Sequence, residues 1–327
     1  MSSKFLDRAH VRRWFLAAAM AGAGLLMSCG GGTQRDPFRP TRLLAIGDDL
    51  STIEADGRKY TINAFKQVTA PDGTVSDDPT TLDCARNPLW IQNVAADFGL
   101  VFDRCLGAAT AGNAQVLAKA GQKVADMPAQ VAAVQGNVLG EQDLALVLIG
   151  MHDILELYAQ YPTVGADALL AEARTRGRTL GQQVNQLALR GPAVVVLTVP
   201  DIGLSPFALA QNTSTGDAGR SAFISRLVEA FNNSMSVALI NDGRLIGLVY
   251  ADIDLQNQVR FASSFGYANV IAAACKDTAP LPDCTTATLV DTATSAAWLW
   301  ADGLLLSPAG QARLGLLAAS RARSNPF

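Results

Sequence analysis

The sequence predicts an α/β fold in which a parallel sheet is covered by helices on both faces, and two observations predict it. Apolar runs of strand length recur through the chain, and most are continuous rather than alternating, as strands buried on both faces require. Between them lie segments whose apolar residues step by three or four, which gives each a single stripe to lay against the sheet. Alternation of the two patterns implies a three-layer α/β/α domain with short, right-handed crossovers. Ligands are then expected at the carboxyl ends of the strands.

Residues 1–28 stand apart from this body. Lys4, Arg8, Arg12 and Arg13 precede the apolar run FLAAAMAGAGLLM (15–27), which ends at Ser28 and Cys29. A basic start, a short apolar centre and small residues at the end read as an export signal, and the run is too short to stay as a membrane span. LMSC followed by GGG resembles a bacterial lipobox, in which Cys29 becomes the lipidated first residue; the alternative is an ordinary signal with an incidental cysteine. Arg12-Arg13-Trp-Phe-Leu also resembles a twin-arginine signal, with Val11 where a hydroxyl residue is usual, so the route of export stays open. Gly30, rather than an aspartate, follows the cysteine, which resembles sorting to the outer membrane. The membrane, reached through Cys29, is the partner this segment implies.

Removing residues 1–28 takes away four bases and one acid (Asp7), leaving 22 bases against 28 acids and a net charge of −6. No basic cluster survives, so nucleic acid is not expected as a partner. Four cysteines remain, Cys84, Cys105, Cys275 and Cys284. An even count in an exported chain favours two disulfides, and spacing suggests Cys84 with Cys105 and Cys275 with Cys284, one of three connectivities. Zinc is the competing reading, but no histidine lies near any of the four and C-x-x-C is lacking. Neither a metal nor another cofactor is expected.

Residues 29–41 hold glycines and prolines with little to bury and suit a flexible tether. The domain is expected over 42–322. Its strands are predicted at LLAIG (43–47), LVFDRC (100–105), LALVLIG (144–150), AVVVLTV (193–199) and LIGLVYAD (245–252). Helical stripes run through Leu169, Ala173, Gly177, Leu180, Val184 and Leu187, and through Ile224, Leu227, Phe231 and Met235.

The strand ends carry the chemistry. Gly47-Asp48-Asp49-Leu50-Ser51 follows the first, Leu106-Gly107-Ala108 the second, Gly150-Met151-His152-Asp153 the third and Pro200-Asp201-Ile202-Gly203 the fourth. Asp302-Gly303-Leu304-Leu305-Leu306-Ser307-Pro308 comes near the C-terminus. In order and spacing these resemble the blocks of the SGNH or GDSL family of ester hydrolases, over about residues 42–320. NPLWIQNVAADFGL (87–100) looks like that family's first helix, and FGYANVIAAAC (265–275) with Cys284 like its disulfide-bearing loop. The resemblance implies a flavodoxin-like five-stranded parallel sheet and carboxylic-ester chemistry.

Such chemistry needs a hydroxyl nucleophile, a base to take its proton and preorganised N–H donors for the oxyanion. Carried over residue by residue, the resemblance puts Asp49 at the nucleophile, Gly107 at the block-two glycine, His152 at the oxyanion asparagine and Asp302 at the orienting acid, with Leu305 at the base. Ser51 is read as a helix cap rather than a nucleophile. Outside residues 1–28 the chain has one histidine, His152, so no second imidazole is available. The expectation is a lipid-anchored, non-catalytic relative that keeps an acyl or glycan ester pocket. Two alternatives remain: hydrolysis through an unconventional Asp49/His152 site, with Asp49 attacking directly, and a metal held by Asp49, His152 and Asp302. Protein partners are not legible.

Overall fold

The computed structural model describes residues 37–106 and 112–327. Residues 1–28, read above as an export signal, Cys29, most of the expected tether (29–41) and Gly107 lie outside the described residues. Residues Phe38–Phe327 form one compact unit.

The sheet is built from β1 (Arg42–Gly47), β4 (Ala114–Val116), β5 (Asp143–Leu148), β6 (Ala193–Leu197) and β7 (Ile246–Val249), every neighbouring pair parallel, in the order β4-β1-β5-β6-β7. Counted by their own sequence, these five strands run 2-1-3-4-5, an order compatible with a flavodoxin-like fold. Its central strands are buried on both faces: Leu43–Ile46, Leu144–Val147 and Val194–Leu197 are all fully inaccessible. That is why they read as unbroken apolar runs, and each Leu, Ile or Val side chain among them contributes roughly 1.5–3 kcal/mol by leaving water.

Helices cover the sheet: α1 (Trp90–Asp97), α2 (Met127–Ala132), α3 (Met151–Tyr158), α4 (Ala166–Ala188), α5 (Pro206–Thr215), α6 (Arg220–Ala238), α7 (Ala251–Arg260) and α8 (Pro308–Ser324). The two predicted stripes are the buried faces of α4 and α6. Among the described residues no helix is long and apolar enough to cross a membrane. Outside the main sheet, β2 (Phe65–Thr69) and β3 (Val75–Leu82) form an antiparallel hairpin, and β8 (Asn269–Ala273) pairs with β9 (Trp298–Trp300). The disulfides are Cys84–Cys105 and Cys275–Cys284. Lys59, wholly buried, donates to the carbonyls of Cys84 and Arg86 at 2.8 and 2.5 Å and so fixes the loop that carries the first disulfide.

Three sequence expectations need correction. The run 100–105 is not a sheet strand. Phe102 makes one isolated bridge to Ala114, and Asp103–Cys105 turns into a short 3-10 segment that delivers Cys105 to Cys84. The place beside β1 belongs instead to β4, paired Leu43 with Ala114 and Ala45 with Val116. The last sheet strand also ends earlier than expected, because Ala251 and Asp252 already belong to α7. Finally, Ser51 caps nothing: it is buried in the turn and accepts a hydrogen bond from the Trp90 indole at 3.1 Å. The cap of that turn is Asp48.

Candidate functional site

In a sheet of this order the direction of winding reverses between β1 and β5, which opens a crevice at their carboxyl ends. Asp49 follows β1 and His152 opens α3 after β5, so the topology alone brings these two together. Gly150, the N-cap of α3, has φ +135°, a backbone only glycine adopts readily, and that sharp turn puts His152 one residue inside the helix.

Asp48 holds the junction. One of its oxygens accepts from the amide of Leu50, and the other accepts from those of Gly150 and Met151, each at 3.3 Å. It thus ties the β1 turn to the start of α3 and puts a carboxyl at that helix's N-terminus. Only 1 % of Asp48 is exposed. Burial pushes its carboxyl up to about 7, and the neighbouring charge of Asp49 pushes the same way, against the His152 imidazolium and the amide donors.

Asp49 behaves differently one residue on. Its Oδ2 lies 2.5 Å from His152 Nε2 and accepts a hydrogen bond from the amide of Gly121 at 2.8 Å. Burial alone would raise this carboxyl. The His152 hydrogen bond, the Gly121 amide and the imidazolium charge together outweigh it and hold Asp49 below the ordinary carboxylate range. His152 is raised above its ordinary value by the hydrogen bond to Asp49, partly opposed by burial and reinforced by the charges of Asp49, Asp48 and Asp153. The two side chains form an ion pair whenever His152 is protonated, in a setting where only 12 % of the aspartate side chain is exposed.

Gly121 is the residue that sequence reasoning missed. Because the second sheet strand is β4, residues 117–124 return over the β1 turn, and the Gly121 amide donates to Asp49 at 2.8 Å. The amides of Leu117 and Ala118 donate to the Ala45 carbonyl at 2.8 and 2.9 Å. Val124 donates to Asp153 at 2.9 Å, and Lys123 pairs with Glu156 of α3 at 3.2 Å. Gln130 of α2 clamps Gly47 by taking its amide and donating to its carbonyl, at 2.9 and 2.8 Å. A short strand followed by Lys-Ala-Gly-Gln was the available signal.

Asp302 stands apart from the pair in its bonding. Its Oδ1 accepts from the amides of Leu304 and Leu305 at 2.8 and 2.7 Å, so it closes its own turn. Burial raises its carboxyl, the two amides oppose this, and the Asp49 charge adds to the rise. Leu305 is buried, 4 % exposed. Among the described residues no group of three or more His, Cys, Asp or Glu side chains is arranged to hold a metal, so Asp302 does not complete a metal triad with Asp49 and His152. No hydroxyl hydrogen-bonds His152 among those residues. Tyr60 is close enough for the Asp49 charge to join burial and Glu54 in raising its phenol.

The two roomiest cavities described, about 400 and 440 Å³, are lined by β7, α6, α7 and α8, not by the Asp49–His152 pair. The strand-end crevice is therefore identified by topology and by its perturbed side chains, not by cavity volume. Chemically the arrangement holds a proton between a carboxylate and an imidazole. It offers neither an alcohol with an adjacent base nor a vacant Gly121 amide, since that donor is engaged by Asp49. Neither a scan against protein-family models nor a search of curated proteins returned a match to the chain.

Proposed function

We propose that this chain is an SGNH/GDSL-type ester hydrolase relative whose site no longer turns over esters and that serves as a lipid-anchored binding protein of the cell envelope. The observation that carries the reading is the 2.5 Å contact between Asp49 Oδ2 and His152 Nε2, with the Gly121 amide on the same oxygen. An acid occupies the turn where a nucleophilic hydroxyl is needed, and it engages the only imidazole outside residues 1–28. With aliphatic carbon at Leu305, no base faces the turn from the last block. Loss of one member of such a triad ordinarily costs several orders of magnitude in rate. Export and lipidation at Cys29 rest on the N-terminal sequence, and the retained ligand class is an acyl or glycan ester.

The test is a serine-directed fluorophosphonate probe, together with short-chain ester turnover, on the full-length protein. Neither labelling nor turnover above background is expected. Labelling that persists in Asp49→Asn would overturn the reading, because it would reveal another nucleophile. The combined substitution Asp49→Ser, His152→Asn and Leu305→His is expected to restore partial esterase activity, which ties the silence to these three positions. Cys29→Ser is expected to release the protein from the membrane fraction and to abolish fatty-acid labelling.

A further inference from the structure

A second candidate site lies on the far side of the sheet from β4, where α7 and α8 stand apart beside the edge strand β7. Their facing residues leave a cleft of about 400 Å³, within the range of small-molecule sites. Its walls carry Ile253 and Leu317, and its polar positions include Tyr250, Asn257, Ser320 and Arg321, with Ser324 donating to the Arg321 carbonyl. Among the described residues, none of these four polar side chains makes a hydrogen bond or an ion pair. Asp254, the one carboxylate in the cleft, is already neutralised: Arg313 grips it at 2.6 Å and Gln258 donates to it at 2.7 Å.

The placement of Arg321 is built into the sheet. Gly247 of β7 lies under it, and a Cβ at that position would come within 2.8 Å of the Arg321 Cγ. The missing side chain leaves room for the arginine stem against the strand, and Arg321 lines both this cleft and the neighbouring cavity of about 440 Å³. Arg321 itself is exposed, so its guanidinium is open to a ligand in the cleft. The rim is apolar and open, with Tyr250 and Ile253 at 53 % and 51 % exposure.

The donors therefore outnumber the free acceptors, one cation is unneutralised, and apolar walls stand beside it. We propose that the α7/α8 cleft binds a small amphipathic carboxylate, its head on Arg321, Ser320 and Asn257 and its hydrocarbon against Ile253 and Leu317. A guanidinium matches a carboxylate through two parallel N–H···O bonds, which a simple point charge does not. This site is separate from the Asp49–His152 pair, so its occupancy does not depend on whether that pair is silent.

The test is titration of the full chain with hexanoate, followed calorimetrically and by the Arg321 Nε–H resonance. Saturable binding is expected, weaker for inorganic phosphate, which lacks the hydrocarbon, and absent for hexylamine. Arg321→Met keeps the stem but not the fork and is expected to lower hexanoate affinity at least tenfold. Asn257→Leu, at the other side of the head, is expected to lower it several-fold, and Gly247→Ala is expected to shift the Arg321 resonance and weaken binding. Absence of saturable binding, equal binding of hexylamine, or hexanoate affinity unchanged in both Arg321→Met and Asn257→Leu would overturn the proposal.

Discussion

The turn after β1 and the turn at 302–305 are both organised by an aspartate that accepts backbone amides, yet they are held in different ways. Asp48 collects amides from two elements, reaching from Leu50 in its own turn to Gly150 and Met151 at the head of α3. Asp302 collects only Leu304 and Leu305, two and three residues along. The first aspartate is a tertiary clamp and the second a local cap. Their neighbours differ as well: beyond Asp48 stands a charged pair, beyond Asp302 a buried leucine. The frame that positions side chains at the crevice thus persists independently of the chemistry displayed on it.

This contrast can be broken by measurement. Replacing Asp48 with Ala leaves three buried amides without an acceptor and is expected to cost about 2–4 kcal/mol in urea unfolding, against about 1 kcal/mol for Asp302→Ala, which loses a local cap. Equal losses would remove the distinction. Leu305→His alone places an imidazole in an apolar position and is expected to cost about 1–2 kcal/mol while giving no esterase activity, since no hydroxyl stands at residue 49. Activity from that single change would mean that another nucleophile exists.

A smaller effect, with a defined pH signature, belongs to the Asp49–His152 pair. His152 is raised in the folded state, so its contribution is complete below its ordinary value of 6.5 and is lost as pH climbs through the raised one. Asp49 is lowered, so its contribution is complete above 3.8 and is lost as pH falls through the lowered one. Coupling between Asp49→Asn and His152→Gln in a double-mutant cycle is therefore expected to be largest between about pH 4 and 6.5, at about 1–2 kcal/mol, and to fade on either side. Asp48 runs the other way: its carboxyl is raised to about 7, so its own contribution falls as pH rises from 3.8 toward 7. The cycle separates the two, because Asp48 is present in all four proteins. A flat coupling across this range would argue against an ion pair.

The strands buried on both faces were legible because burial on two sides forbids alternation, and β1, β5, β6 and β7 all announce themselves this way. β4 was not. It is three residues long, Ala-Gln-Val, and the nearby Leu-Val-Phe at 100–102 is apolar for another reason: just past α1, Leu100 donates to the Ala95 carbonyl, and Leu100 and Phe102 are buried while Val101 is exposed. Gly121 was lost with that strand, since its relevance comes only from the loop that β4 launches. The approach of Asp49 to His152 was accessible from the sequence because strand ends at a winding reversal converge wherever the loops go. The α7/α8 cleft was not accessible, because a helical stripe does not say whether its facing partner is in contact or held away.

The central claim is that the single imidazole of this crevice is charged and engaged by Asp49, leaving none to act as a base. Its most direct test is the pH titration of the His152 ring nitrogens by ¹⁵N NMR in the wild-type protein and in Asp49→Asn. A midpoint above 6.5 is expected in the wild type, falling toward the ordinary histidine value in the variant. A midpoint at or below 6.5 that Asp49→Asn leaves unmoved would contradict the claim.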